Sequence, residues 1–384
     1  MSQVVFLSSY DPTDIKSWSG TPYSIHRILS ENGHMVYNVG PVKSYSKHII
    51  RLISYLLSKV TRYRLDASHS LVSSFELGVR ASFLLRKIDC DYVVAPAGSA
   101  VLAFLFTKKN IIYISDTTFG QFCEYYDSSS RELPWFAKVI GDYIEKRALD
   151  KSTISTFPSS WAADFAKKHY LIEKKIHQIN WGPNLPYVER FNKSLPKFHK
   201  GETFNILFCG VEWHRKGGDI VLQTVESLIN SGYKVQLHIC GCSALLYDDA
   251  VKPTWLIEHG RLDKNNHVEN QLLQSLFKAA HIMFVPSRAE CYGMVFCEAA
   301  AYSLPVVSTK TGGITSIVDD GLTGYLLAPD SPITEYFMCI EKLITDEYSY
   351  LEMSNNARMT YESRLNWSTW FNEMTLIFER TVES

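Results

Sequence analysis

Short apolar runs alternate with helically spaced stretches along this chain, and the alternation starts twice. Residues 4–8 form a short apolar run, 22–30 carry Ile25, Ile28 and Leu29 at helical spacing, and Gly33 precedes a second apolar run at 35–39. That order predicts a strand, helix, strand opening. Further apolar runs at 92–95, 111–115 and 152–156, separated by helical stretches, extend it to an open parallel sheet. A polar, proline-marked stretch at 182–203 reads as a linker. Beyond it the pattern restarts, with strands expected at 204–209, 235–240, 281–285, 305–308 and 324–327 and helices at 219–229, 268–280, 295–301 and 314–318. The last helical segment carries Trp367, Trp370, Phe371, Met374 and Phe378 on one face. The chain is thus expected to hold two α/β units.

Composition adds limits to that picture. A length of 384 residues suits two domains of about 150–200 each. Lys and Arg total 39 against 40 Asp and Glu, so no overall basic field points to a nucleic-acid partner. The 8 cysteines are scattered without a CxxC pair and read as reduced thiols of a cytoplasmic protein. The N-terminus lacks a basic segment followed by an apolar one, and no run of about 18 apolar residues is free of charge, so neither secretion nor a membrane span is expected.

The densest chemistry lies in Pro286-Ser-Arg-Ala-Glu290-Cys-Tyr-Gly293-Met-Val-Phe-Cys-Glu298. A buried strand ending at Pro286 would lead into a loop with Glu290 and Gly293, then a helix starting near Met294 with Glu298 one turn inside. Open α/β sheets bind ligands beyond the carboxyl ends of their strands, and a helix start offers free amides to phosphate. Two carboxylates beside it can accept hydrogen bonds from sugar and ribose hydroxyls.

This segment resembles the E-x7-E signature of family four glycosyltransferases, a retaining family with the GT-B fold. Neighbouring stretches carry the resemblance further: Phe208-Cys-Gly210-Val-Glu-Trp-His-Arg215-Lys216-Gly217-Gly218, Val306-Val-Ser-Thr-Lys-Thr-Gly312-Gly313 and Asp320-Gly-Leu-Thr-Gly324 follow in the family's order and spacing. Over 1–184 the resemblance is looser. It implies two Rossmann-like domains facing a central cleft: an acceptor-side domain over 1–185, a donor-binding domain over 186–365, and a final helix over 366–384 crossing back to the first. It also implies that Lys216 binds the donor diphosphate, Glu290 the hexose and Glu298 the ribose, with the amides of Gly293, Met294 and Val295 facing the diphosphate and sugar.

The sequence departs from the family in two places. Val211 stands where an arginine is usual, and Arg215 is the substitute candidate. Asp116, in Ile114-Ser-Asp-Thr-Thr118, stands where many members have a histidine near the reacting carbon; it reads equally as a helix cap. Gly20, in Trp18-Ser-Gly-Thr21, matches a glycine that lets backbone approach donor phosphates, or serves only a turn. The candidate catalytic residues are Asp116, Glu290 and Lys216.

Asp89-Cys-Asp91 matches a metal-binding D-x-D pattern, but it precedes an apolar strand and reads as a pre-strand loop; no metal or cofactor is expected besides the nucleotide-sugar donor, with UDP- and GDP-sugars as candidates. Residues 41–65 contain no acidic residue, and Lys43, Lys47, Arg51, Lys59, Arg62 and Arg64 interleave with apolar positions. The stretch reads as a helix packed on the first domain with a solvated basic face, or as peripheral contact with the inner face of an anionic membrane. The expected reaction is hexosyl transfer, with retention, to a hydroxyl of a glycan or lipid-linked glycan of surface-polysaccharide or lipopolysaccharide type. A GT-B nucleotide-sugar epimerase and a non-catalytic nucleotide-sugar binding subunit are the alternatives.

Overall fold

The computed structural model describes residues 2–61, 63–126, 133–185, 202–243 and 252–383. Arg62 of the basic stretch and 186–201 of the expected linker lie outside them. Two compact units divide the chain, Met1–Ile179 with Trp370–Ser384, and Asn180–Thr369.

The first unit holds strands β1 (Gln3–Leu7), β2 (Met35–Val39), β3 (Tyr92–Pro96), β4 (Asn110–Ile114), β5 (Ile154–Phe157) and β6 (Ile176–Gln178) in the order β2-β1-β3-β4-β5-β6, every neighbouring pair parallel. Val4 to Leu7 and Tyr92 to Pro96 are buried without a break, the continuous apolar run expected when helices cover both faces of a parallel sheet. Helix Thr21–Glu31 starts with Pro22 in its first turn and buries Ile25, Ile28 and Leu29. As expected, the last helix returns to this unit: Trp370 and Met374 are buried, the Phe371 ring lies 5.6 Å from His34, and Phe378 lies 4.9 Å from Tyr92.

The basic stretch forms helix Ser46–Val60, whose start is held by Glu76 of helix Leu71–Leu85. That carboxylate accepts hydrogen bonds from the Tyr45 and Ser46 amides at 2.9 and 3.0 Å and from the Ser44 and Ser46 hydroxyls. Burial pushes the Glu76 carboxyl up, and these bonds outweigh it and bring it down to about 2. Ser54 is the buried residue of this helix, while Ile49, Leu52, Ile53 and Leu56 are each about half exposed or more. Those four side chains stand on its open side, while Ile50 and Leu57 are partly buried.

The second unit holds β7 (Phe204–Cys209), β8 (Val235–Cys240), β9 (Leu256–Glu258), β10 (Ile282–Val285), β11 (Val306–Thr309) and β12 (Gly324–Leu327), ordered β12-β11-β10-β7-β8-β9 and again parallel. The chain runs outward from β7 through β9, then returns to the other side of β7 at β10. The loops after β7 and β10 thus part at the point where strand order reverses.

Two short strands, β6 and β9, escape a reading by hydrophobic pattern: each has three residues and buries only its first. The helix expected at 314–318 is instead a 3-10 turn over Gly312–Ser316, because Gly313 packs against the Cys291 carbonyl, where a Cβ would come within 2.2 Å.

Trp370→Ala is expected to destabilise the first unit by about 3–5 kcal/mol, read as a lowered calorimetric transition. An unshifted transition would show that the returning helix carries no packing load.

Candidate functional site

After β7, the chain passes Gly210 and turns through Val211 to Gly218 before helix Gly218–Asn230. Gly217 has φ +74° and sits so close to the loop after β10 that a Cβ would lie 2.1 Å from the Pro286 carbonyl oxygen. A glycine is required there on both counts. Arg288 ties the two loops: its amide donates to the Arg215 carbonyl at 2.8 Å, and its guanidinium reaches both Asp219 oxygens at 2.8 Å. The bond from Arg288, helped by its charge, holds the Asp219 carboxyl below the usual range.

Within this frame the Lys216 ammonium donates to Glu290 Oε2, with Lys216 7% exposed overall and the Glu290 side chain 14%. Arg215 Nη1 stands 3.4 Å from the same oxygen and donates to the Ala289 carbonyl at 2.9 Å, so the arginine suggested by sequence joins Lys216 on one carboxylate. Val211 at the family's usual arginine position is exposed. Gly293, at φ +97°, turns the loop into helix Met294–Ala301; a Cβ there would lie 2.6 Å from the Phe296 ring. The Phe296 amide closes the first turn onto the Gly293 carbonyl at 2.9 Å, which leaves Gly293, Met294 and Val295 as the helix start whose amides have no acceptor in the helix.

Glu298 is buried one turn inside, and its Oε1 accepts from Lys264 Nζ at 2.6 Å; Lys264 also donates to the Asn184 carbonyl at 3.2 Å. Sequence reading missed Lys264, which lies in the loop after β9, a strand too short to announce itself. Beneath the helix start, Tyr292 accepts from the Trp181 amide at 3.0 Å, and burial pushes the Cys297 thiol up to about 12, as suits a packing residue. The second unit thus gathers Arg215, Lys216, Glu290, the Gly293–Val295 backbone, Lys264 and Glu298 at the carboxyl ends of its strands.

Gly20 and Asp116 belong to the first unit. Gly20, at φ +84°, precedes helix Thr21–Glu31 and follows two further left-handed residues, Trp18 and Ser19 at φ +44° and +57°. Asp116 follows β4 and lines a cavity of about 300 Å³ that also meets Tyr10 and Trp18. The Asp89-Cys-Asp91 pair serves local structure: Asp91 accepts from the Gln3 amide at 2.7 Å, and Asp89 lies 3.4 Å from Lys109 Nζ. Among the described residues, no helix is long and apolar enough to cross a membrane.

Residues 203–346 match the family model described as "Glycosyl transferases group 1". A D-inositol 3-phosphate glycosyltransferase of Corynebacterium kroppenstedtii is 26% identical over 184 residues, 46% of this chain and 40% of that protein. A capsular polysaccharide biosynthesis glycosyltransferase, CapM of Staphylococcus aureus, is 26% identical over 218 residues, 54% of this chain and 56% of that one. The chain therefore spans about half the length of these curated relatives. The fold of the Anabaena protein HepE, solved with UDP-glucose, superposes with a TM-score of 0.63 over 100% of this chain and 99% of that one at 13% identity. The shared fold is GT-B, as the motifs imply.

Because its folded-state carboxyl lies below its unfolded value, Asp219 contributes stability that is present above the unfolded carboxylate range and is lost as pH falls through the folded value. Asp219→Asn is expected to flatten the acid limb of melting temperature against pH. An unchanged limb would show that the Arg288 clamp does not hold the two loops.

Proposed function

We propose, from the match of residues 203–346 to the glycosyl transferases group 1 model, that the chain moves a hexosyl group from a nucleoside-diphosphate sugar to an acceptor hydroxyl with retention of configuration. The observation that carries this is the convergence of Lys216, Arg215 and Glu290 where the strand order of the second sheet reverses, next to a helix start. A diphosphate there exchanges the internal Lys216–Glu290 pair for a lysine–phosphate contact. Glu290 is then released to accept hydrogen bonds from the hexose hydroxyls. Glu298, held by Lys264, serves the ribose hydroxyls in the same way.

As the bond to the sugar breaks, charge grows on the leaving diphosphate, and Lys216, Arg215 and the amides of Gly293, Met294 and Val295 stabilise it. In this reading those cations perform the task without a metal, and no cofactor is used beyond the donor. Glu290 and Glu298 orient the sugar. The HepE structure with UDP-glucose supports a nucleotide sugar as donor. Similarity to the capsular polysaccharide enzyme supports a glycan or lipid-linked glycan acceptor.

A membrane-borne acceptor also fits helix Ser46–Val60. Its exposed Ile49, Leu52, Ile53 and Leu56 stand among Lys43, Lys47, Arg51, Lys59 and Arg64, the composition of a segment lying in an anionic lipid surface. This reading puts the chain at the cytoplasmic face of the membrane.

A thermal-shift panel of UDP- and GDP-sugars is expected to raise the melting temperature with one base, by up to about 2.7 kcal/mol of stabilisation at a hundredfold excess over Kd. Lys216→Ala is expected to weaken that binding about 10–100-fold. A panel with no shift overturns the assignment, and a changed sugar with donor alone would mark an epimerase. The intact chain should pellet with phosphatidylglycerol vesicles at low salt, and the Ile49→Ser, Ile53→Ser double variant should not; equal pelleting by both would exclude this helix as the membrane contact.

A further inference from the structure

Strands β7 and β8 end on a matched pair of thiols. Cys209 and Cys240 are register partners in this parallel pair, so both side chains leave the sheet on the same face. Cys240 is buried and Cys209 is partly exposed. The Cys209 thiol donates to the Cys240 sulfur. That bond, helped by the Lys264 charge and by the Leu262 amide, outweighs burial and holds the Cys240 thiol below its usual range. Donating it, together with burial, pushes the Cys209 thiol up. Neighbouring strands run about 4.7–4.9 Å apart, within the span of about 4.4–6.8 Å over which a disulfide joins two Cα atoms. The transfer reaction proposed above uses neither sulfur.

The pair lies at the base of the loops that carry the charged groups of the site. Gly210, next after Cys209, packs so closely on the Lys216 stem that a Cβ there would lie 2.7 Å from Lys216 Cγ. Gly241, next after Cys240 and at φ +99°, stands where a Cβ would come within 2.6 Å of the Gly210 carbonyl oxygen. Its amide donates to the Gly260 carbonyl at 2.8 Å, which ties it to the loop that carries Lys264. Lys216 and Lys264 are the partners of Glu290 and Glu298, so a movement of the two strand ends reaches both ion pairs. A disulfide makes such a movement: its Cβ atoms close to about 3.8 Å, short of the strand spacing of about 4.7–4.9 Å. The close approach of Gly241 to Gly210 leaves little room to absorb it.

We propose that Cys209 and Cys240 form an oxidative modification site, converted by a peroxide to an intramolecular disulfide that lowers affinity for the nucleotide sugar; its effect on binding rests on the donor reading above. Partial exposure of Cys209 gives a small peroxide access to the pair. The Cys240 thiolate attacks one oxygen of hydrogen peroxide: an S–O bond forms, the O–O bond breaks, and the departing hydroxide takes the proton released by Cys240 as water. The Cys209 sulfur then attacks the sulfenic sulfur. The S–S bond forms, the S–O bond breaks, and the second hydroxide leaves with the Cys209 proton as a second water. Two thiols have lost two electrons and two protons, and the peroxide has been reduced to two waters. Because the bond must draw two sheet strands together, it is strained and readily reduced by thiols, so the modification is reversible.

The intact chain, treated with hydrogen peroxide and digested without reductant, should yield two peptides linked through Cys209 and Cys240 in mass spectrometry. Titration calorimetry with the nucleotide sugar that stabilises the reduced chain should show affinity weakened about 5–150-fold by oxidation, the usual span of coupling between sites, and restored by dithiothreitol. By reciprocity, saturating donor should shift the pair toward the reduced form in a glutathione buffer by the same factor. Cys209→Ser and Cys240→Ser should each abolish the link and the peroxide sensitivity, and Cys242→Ser should change neither. Should a serine variant fail to fold, the link in the unaltered chain and its reversal by dithiothreitol decide alone. No link between Cys209 and Cys240, a link through Cys242 instead, or a link that leaves donor affinity unchanged overturns the proposal and spares the donor assignment. A linked pair in a chain whose reduced form binds no nucleotide sugar keeps the oxidation site and overturns both its control of binding and the donor reading.

Discussion

Taking an ammonium and a carboxylate out of water costs several kcal/mol per ion, and their attraction compensates only where geometry is good. The second unit meets that condition at Lys216 and Glu290, two nearly buried side chains 74 residues apart in sequence. Each is the group a diphosphate sugar needs, a cation for phosphate and a carboxylate for hydroxyls. Without ligand each satisfies the other, so the pocket stays folded and charged at once. Glu298 with Lys264 repeats the device one helical turn deeper.

Backbone geometry makes that pairing possible. Gly217 allows the loop after β7 to press on Pro286, and Gly293 allows the loop after β10 to enter its helix; a Cβ at either would collide with its neighbours. Arg288 and Asp219 then bind the loops through a two-pronged contact outside the buried pair. The site is thus positioned by main-chain contacts first and by charge second.

The two units reach their cavities by different strand orders under one constraint. A parallel sheet delivers all its strand ends to one edge, and a crevice opens where neighbouring connections part. At the second sheet's reversal the strand ends gather the paired charges Lys216–Glu290 and, nearby, Lys264–Glu298. In the first sheet the crevice is lined by the Tyr10 and Trp18 rings and by Lys47, Asp66, His69, Asp116 and Glu145, aromatic on one side and ionisable on the other.

Sequence alone determined what local pattern encodes. Strands such as 204–209 and 235–240 were legible because their buried positions, among them Phe204, Ile206, Leu207, Val235, Leu237 and Ile239, are apolar, and the glycines and glutamates around Gly293 were legible because their spacing is set within one loop and one turn of helix. Only the tertiary structure decided the rest. Lys264 meets Glu298 across 34 residues, and His69 meets Ser99 across 30, through strands whose order no periodicity records. The exposed apolar side of helix Ser46–Val60 is of the same kind, since an amphipathic pattern states that a face seeks apolar surroundings but not whether the fold itself supplies them.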